Sequence, residues 1–149
     1  MAIYVDDDAL EKIRPDIFQL GVSDWDDQMD EAEELINRTL ESRWYREQAE
    51  QGGIDWRSTP MDPNLFLTAD TQLKRLASYK TLELCYLYLM KNVPSDADAF
   101  DKQRKIFRDM YKGELSEVLA VGLDYDWDED DAITAGENIQ PALRRLHRV

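Results

Sequence analysis

The sequence predicts an all-α fold: a helical bundle of about four main helices with a long central loop and an extended C-terminal tail. Three observations carry that prediction. Apolar residues recur at spacings of three and four over long windows, the period of one helix face. No alternating pattern of the kind a half-buried strand needs runs beyond a few residues. The length of 149 residues, with 43% hydrophobic and 10% aromatic side chains, suits one core and excludes wholesale disorder. The chain divides on paper into a bundle over residues 1–123 and an acidic loop with a basic tail over 124–149.

The elements follow in order. Asp7 or Asp8 can cap a short helix through Ile13, and Pro15 ends it by removing a donor and clashing backward. Ser23 with Asp26 three residues on resembles a capping box, with Asp in place of the usual Glu. Trp25, Met29, Ala32, Leu35, Ile36, Leu40 and Trp44 then mark one face of a helix to about Glu50, its first turns crowded with acids that suit the positive end of the helix dipole. Gly52-Gly53 ends it. The segment to Asp70, with Pro60 and Pro63, reads as a loop long enough to be a contact element or a tether, and Trp56, Leu65 and Phe66 suggest that part of it packs.

Asp70 or Thr71 can cap the next helix, through Asn92. Its apolar residues, from Leu73 to Leu89, cover most of the circumference, so it should be central and buried, with Cys85 a small core residue. Val93-Pro94 breaks the chain and Ser95 or Asp96 caps the last helix. Phe100, Phe107, Met110, Tyr111, Leu115 and Leu119 form its expected inner stripe, and Lys102, Arg104, Lys105, Arg108 and Lys112 its mostly outer, basic one. Gly113 leaves open whether this helix kinks or continues to Gly122.

Charge narrows the function. The formal net charge of −14 argues against a protein that grips phosphate backbones, whose affinity comes from Lys and Arg. The excess is uneven. Residues 1–34 carry 12 acids against 2 bases, residues 35–123 balance at 13 each, residues 124–131 carry 6 acids, and residues 132–149 set Glu137 against three arginines. One cysteine and one histidine, Cys85 and His147, exclude an internal disulfide framework and make thiolate zinc sites and His-based catalytic engines improbable. No base, nucleophile and oxyanion donor can be assembled on paper, so an enzyme is not expected. Neither a signal peptide nor a membrane span is expected: three aspartates occupy the first ten residues and the longest apolar stretch is far too short.

The sharpest local motif lies at residues 126–137. Asp126, Asp128 and Asp130 fall at positions 1, 3 and 5 of a twelve-residue calcium loop, Ile133 at the apolar position 8, and Glu137 at the bidentate position 12. The run from Leu115 to Leu123 would be the entering helix. Asp131 stands where the sharp turn calls for glycine, and Pro141 shortens any leaving helix. The loop is therefore a candidate calcium site or an acidic turn of the same shape without metal. A calcium-binding regulatory or interaction module is one functional reading of the chain. Beyond the loop, Leu143, Leu146 and Val149 repeat every three residues among Arg144, Arg145 and Arg148, the make-up of a tail that frays or that docks into an acidic partner.

Other patterns point to a family. They are Trp25…Ala32…Ile36…Leu40…Trp44-Tyr45, then Leu76-Ala77…Tyr79…Leu82…Leu84-Cys85…Leu89, then Phe100…Phe107…Tyr111…Glu114-Leu115, and above all Leu123-Asp124-Tyr125-Asp126-Trp127-Asp128-Glu129-Asp130 leading to Glu137 and a basic end. In these the chain resembles the head–tail connector, or adaptor, proteins of tailed bacteriophages. The resemblance implies a helical structural virion protein in the neck, present in the host cytoplasm during assembly. It would form a homo-oligomeric ring, dodecameric, between the portal protein and tail or neck proteins, with genomic DNA passing through without specific binding. It makes Leu143, Arg144, Arg145, Leu146, Arg148 and Val149 candidate portal-docking residues, and the loop from Gly52 to Asp70 a candidate contact with tail proteins or a neighbour. Residues 1–34 or 124–131 would contribute an acidic lumen that repels phosphates.

Overall fold

The computed structural model describes residues 2–67 and 73–128. Five α-helices form the bundle among these residues: α1 Asp7–Ile13, α2 Asp26–Leu40, α3 Arg46–Gln51, α4 Lys74–Asn92 and α5 Ala97–Val121. A π-helical turn, Glu41–Tyr45, joins α2 to α3, so the two form one rod that ends at Gln51, close to where the periodicity put it. The protein is an all-α bundle of four rods. None of its described helices is long and apolar enough to cross a membrane.

The π turn has a local cause. Successive residues on an α-helix project about 100° apart, so adjacent aromatics cannot both sit at the centre of one buried stripe. Widening one turn shifts the register, and both Trp44 and Tyr45 are buried.

Helix α4 is the centre, packing against α1, α2 and α5. Leu76, Ala77, Leu82 and Cys85 have no exposed surface, and apolar side chains surround the helix instead of lining one stripe. Its buried hydroxyls are satisfied within the helix: Ser78 Oγ donates to the Lys74 carbonyl at 2.7 Å and Thr81 Oγ1 to the Ala77 carbonyl at 2.7 Å. Glu83, buried, pairs with Lys80 at 2.8 Å, and the Lys80 ammonium lies 4.9 Å from the centre of the Tyr111 ring, tying α4 to α5. Burial pushes the Cys85 thiol well above its ordinary range, which leaves it an inert core residue.

Four details differ from expectation. The cap of α1 is Asp6, whose carboxylate accepts from the Ala9 N–H at 2.9 Å; Asp7 and Asp8 instead fill the first turn. Ser23 caps nothing: α2 starts after Trp25, and Asp24 Oδ1 accepts from the Asp26 N–H at 2.8 Å. The fully buried Trp25 fixes that start, its indole N–H donating to the Ile17 carbonyl at 3.1 Å. Ahead of α5 there is a 3-10 turn, Pro94–Asp96, and no side chain caps the helix. Finally, Met110 is exposed, and the buried stripe of α5 is Phe107, Tyr111, Leu115 and Val118. Val118 follows Leu115 by three and Tyr111 by seven, so it belongs to that face, while Met110 lies about 100° from Tyr111.

Gly113 neither kinks nor ends α5, which runs on to Val121. It is exposed, and a Cβ built there would meet nothing within 4 Å. Gly113→Ala should therefore stabilise the chain by about 0.5–1 kcal/mol, the usual cost of a mid-helix glycine, read as a higher midpoint in urea. The helix stops instead at Gly122, whose φ of 91° is comfortable only for glycine.

Candidate functional site

Two surfaces hold chemistry: the seat of the acidic segment after α5, and a groove at the joined fronts of α1 and α2.

The acidic segment does not leave the bundle at residue 124. Phe66 and Tyr125 form an antiparallel bridge, with the Leu67 N–H donating to the Asp124 carbonyl at 3.0 Å and the Asp126 N–H to the Leu65 carbonyl at 2.8 Å. Side chains hold it as well. The Tyr125 ring lies 5.1 Å from Phe66, 4.7 Å from Trp127 and 5.8 Å from Trp44, and Trp127 stacks on Tyr45 at 5.4 Å and 10°. The same rings anchor the central loop. The Tyr45 hydroxyl donates to the Thr59 carbonyl at 2.5 Å, and the Tyr125 hydroxyl accepts from the Asp62 N–H at 2.9 Å. Burial first, partly offset by that Asp62 bond, pushes the Tyr125 phenol up to about 12, so it stays neutral. Next to these rings is a cavity of about 560 Å³ lined by Tyr45, Met61, Asp62, Tyr125 and Trp127.

The predicted calcium ligands divide. Asp126 is buried, with 1% of its surface exposed, and Asp128 is exposed in the following turn; Asp130 and Glu137 lie outside the described residues. The predicted entering helix ends at Val121, so four residues, Gly122 to Tyr125, separate it from Asp126. Among the described residues no group of three or more His, Cys, Asp or Glu is placed to hold a metal ion. The predicted docking residues Leu143, Arg144, Arg145, Leu146, Arg148 and Val149 also lie outside the described residues.

The second surface was visible in the sequence only as a charge excess. Glu33 on α2 is buried and accepts from the Ile3 N–H at 2.8 Å and the Tyr4 N–H at 3.2 Å, while the Tyr4 hydroxyl donates to Asn37 Oδ1 at 2.6 Å. These bonds lay the first residues along α2 and bring Asp7 and Asp8 beside Asp26 and Asp30. These four carboxylates, with Asp6 and the buried Val5 and Met29, line a groove of about 560 Å³. Crowding raises the Asp26 carboxyl above its ordinary range, with Asp24 the largest cause and Asp7 and Asp30 contributing. Such a surface repels anions and favours cations. Folding thus concentrates charge that the sequence spreads over thirty-odd residues.

No family model, curated protein or solved structure matches the chain. What the chain can do is therefore read from these two surfaces.

Proposed function

We propose that the chain is a structural virion protein, a head–tail connector that assembles as a ring beneath the portal, joins head to tail and surrounds the DNA channel. Charge mounted on a rigid frame is the observation that carries this reading. Asp7, Asp8, Glu11, Asp26, Asp27, Asp30 and Glu31 are all exposed on α1 and α2, which are fixed to the core through Leu10, Ile36 and α4. Repeated around a ring, that face would make a wall that repels phosphates, whereas attractive contacts would retard DNA in proportion to the phosphates neutralised.

The test is co-purification with a candidate portal protein, followed by mass measurement and negative-stain imaging. The expected result is a ring bound to the portal with the front of α1 and α2 facing the lumen. A strictly monomeric chain that ignores the portal would defeat the reading. Deleting Leu143 to Val149 should leave the helical circular dichroism and melting midpoint unchanged but abolish portal binding. An unfolded deletion variant would show the tail to be part of the core.

A further inference from the structure

The cavity of about 560 Å³ beside Tyr45 and Tyr125 is walled by Ile54, Pro60, Pro63, Leu65 and Trp127, and Asp62 supplies its charge. Pro60 is exposed and the other walls are half-buried, so apolar surface meets solvent there. A concave site that is mostly apolar, with a polar group at one point, is built to take apolar side chains and orient them. The walls are held in place, since the Tyr45 hydroxyl bonds the Thr59 carbonyl and the Asp62 N–H bonds the Tyr125 hydroxyl. The Asp62 carboxylate accepts from the Asn64 N–H at 3.0 Å and from Asn64 Nδ2 at 3.2 Å, and it has no ion-pair partner among the described residues. The nearest cation in the sequence, Arg57, lies instead over the Trp56 ring at 4.4 Å.

Charge and reach say what fills the cavity. The segment from Ala142 to Val149 sets Leu143, Leu146 and Val149 among three arginines and contains no acid. It offers apolar side chains to the walls and guanidiniums to the Asp62 carboxylate. The last described residue, Asp128, adjoins the Trp127 wall, and thirteen residues, 129–141, lie between it and Ala142. Fully extended they span at most about 45 Å, enough to reach a neighbouring molecule. They carry four acids and no base. A charged linker self-repels and extends, so it leads the tail away from the acids beside its own cavity, Asp62 among them, and toward another copy.

We infer that the segment from Ala142 to Val149 of one copy seats in this cavity of a neighbouring copy, its apolar side chains against Ile54, Leu65 and Trp127 and its arginines at Asp62. The contact is heterologous: each copy offers one tail and one cavity, and repetition closes a ring when the rotation permits. The inference rests on the ring proposed above and names what links its subunits. Loss of portal binding on removing the tail then follows from loss of the ring.

The test uses full-length chains in sedimentation velocity over a concentration series. Wild type should assemble. The tail variant, Leu143→Ser with Leu146→Ser and Val149→Ser, and the cavity variant, Ile54→Arg with Asp62→Lys, should each weaken assembly by about tenfold or more while keeping the helical circular dichroism. Mixed together they should form a one-to-one pair that grows no further, because one sound tail meets one sound cavity. The tryptophan fluorescence of the tail variant should also respond to a synthetic peptide of residues 142–149, and should ignore the same peptide with its arginines replaced by glutamate. A cavity variant that assembles like wild type, folded variants that fail to pair, or a tail variant blind to the peptide overturns this interface and leaves the ring reading standing. The same holds if wild type forms rings only on the portal, or if the tail variant self-assembles normally yet loses the portal. A wild-type chain that stays monomeric, alone and with portal, overturns both.

Discussion

Tyr125→Ala is expected to lower the unfolding free energy by about 3–5 kcal/mol, the range for removing a buried aromatic ring. The size follows from what one side chain joins. Tyr125 touches Phe66 of the central loop, Trp44 and Tyr45 at the π turn, and Trp127 of its own segment, and its hydroxyl accepts from the Asp62 backbone. The central loop and the segment after α5 are far apart in sequence, and each is held chiefly by the other and by these rings. Tyr125→Phe keeps the rings and loses one hydrogen bond, so it should cost about 1 kcal/mol. Urea unfolding followed by tryptophan fluorescence checks both, since Trp44 and Trp127 report on the cluster itself. If the alanine variant lies within about 1 kcal/mol of wild type, the aromatic seat is peripheral to folding.

The same cluster shows where sequence reasoning stopped. The helices were legible because each buries a stripe whose period is local: Trp25, Met29, Ala32, Ile36 and Leu40 are all buried, and the crowded apolar positions of α4 placed it at the centre. Caps were less legible because several acids in a row could serve. Asp6, Asp7 and Asp8 are chemically equivalent, and only the backbone at Asp6 aims the carboxylate at the Ala9 N–H. The Phe66–Tyr125 bridge left no local trace. Two short segments without strand periodicity pair because their aromatic neighbours bring them together, and that is a property of the tertiary fold. Asp126 stands out in a linear motif as a metal ligand, yet the fold buries it beside that bridge. The acidic groove was half-legible: the sequence shows the charge, but its concentration into one concave surface depends on Glu33, which the spacing from Met29 and Ile36 sets at the edge of the buried face without showing that it holds the Ile3 and Tyr4 N–H groups.

Glu33 should therefore anchor the first residues of the chain to α2. Its carboxylate sits where the chain's first residues turn toward α1, and its two bonds to the Ile3 and Tyr4 N–H groups involve a charged acceptor, the stronger kind. Glu33→Ala leaves the buried Tyr4 N–H without its acceptor and loosens the start of the chain from α2, for an expected loss of roughly 2–4 kcal/mol. Glu33→Gln keeps an acceptor oxygen and should lose about 1 kcal/mol. Hydrogen exchange separates a local effect from a global one: protection at Tyr4 and Val5 should fall first, while the amides of α4 keep theirs until the chain unfolds as a whole. Asp7 follows the segment that Glu33 holds to α2, so loosening that segment should also relieve the crowding of Asp7 against Asp26. An alanine variant with native exchange at Tyr4 would mean that the Asn37–Tyr4 bond and the burial of Val5 suffice to form the groove wall.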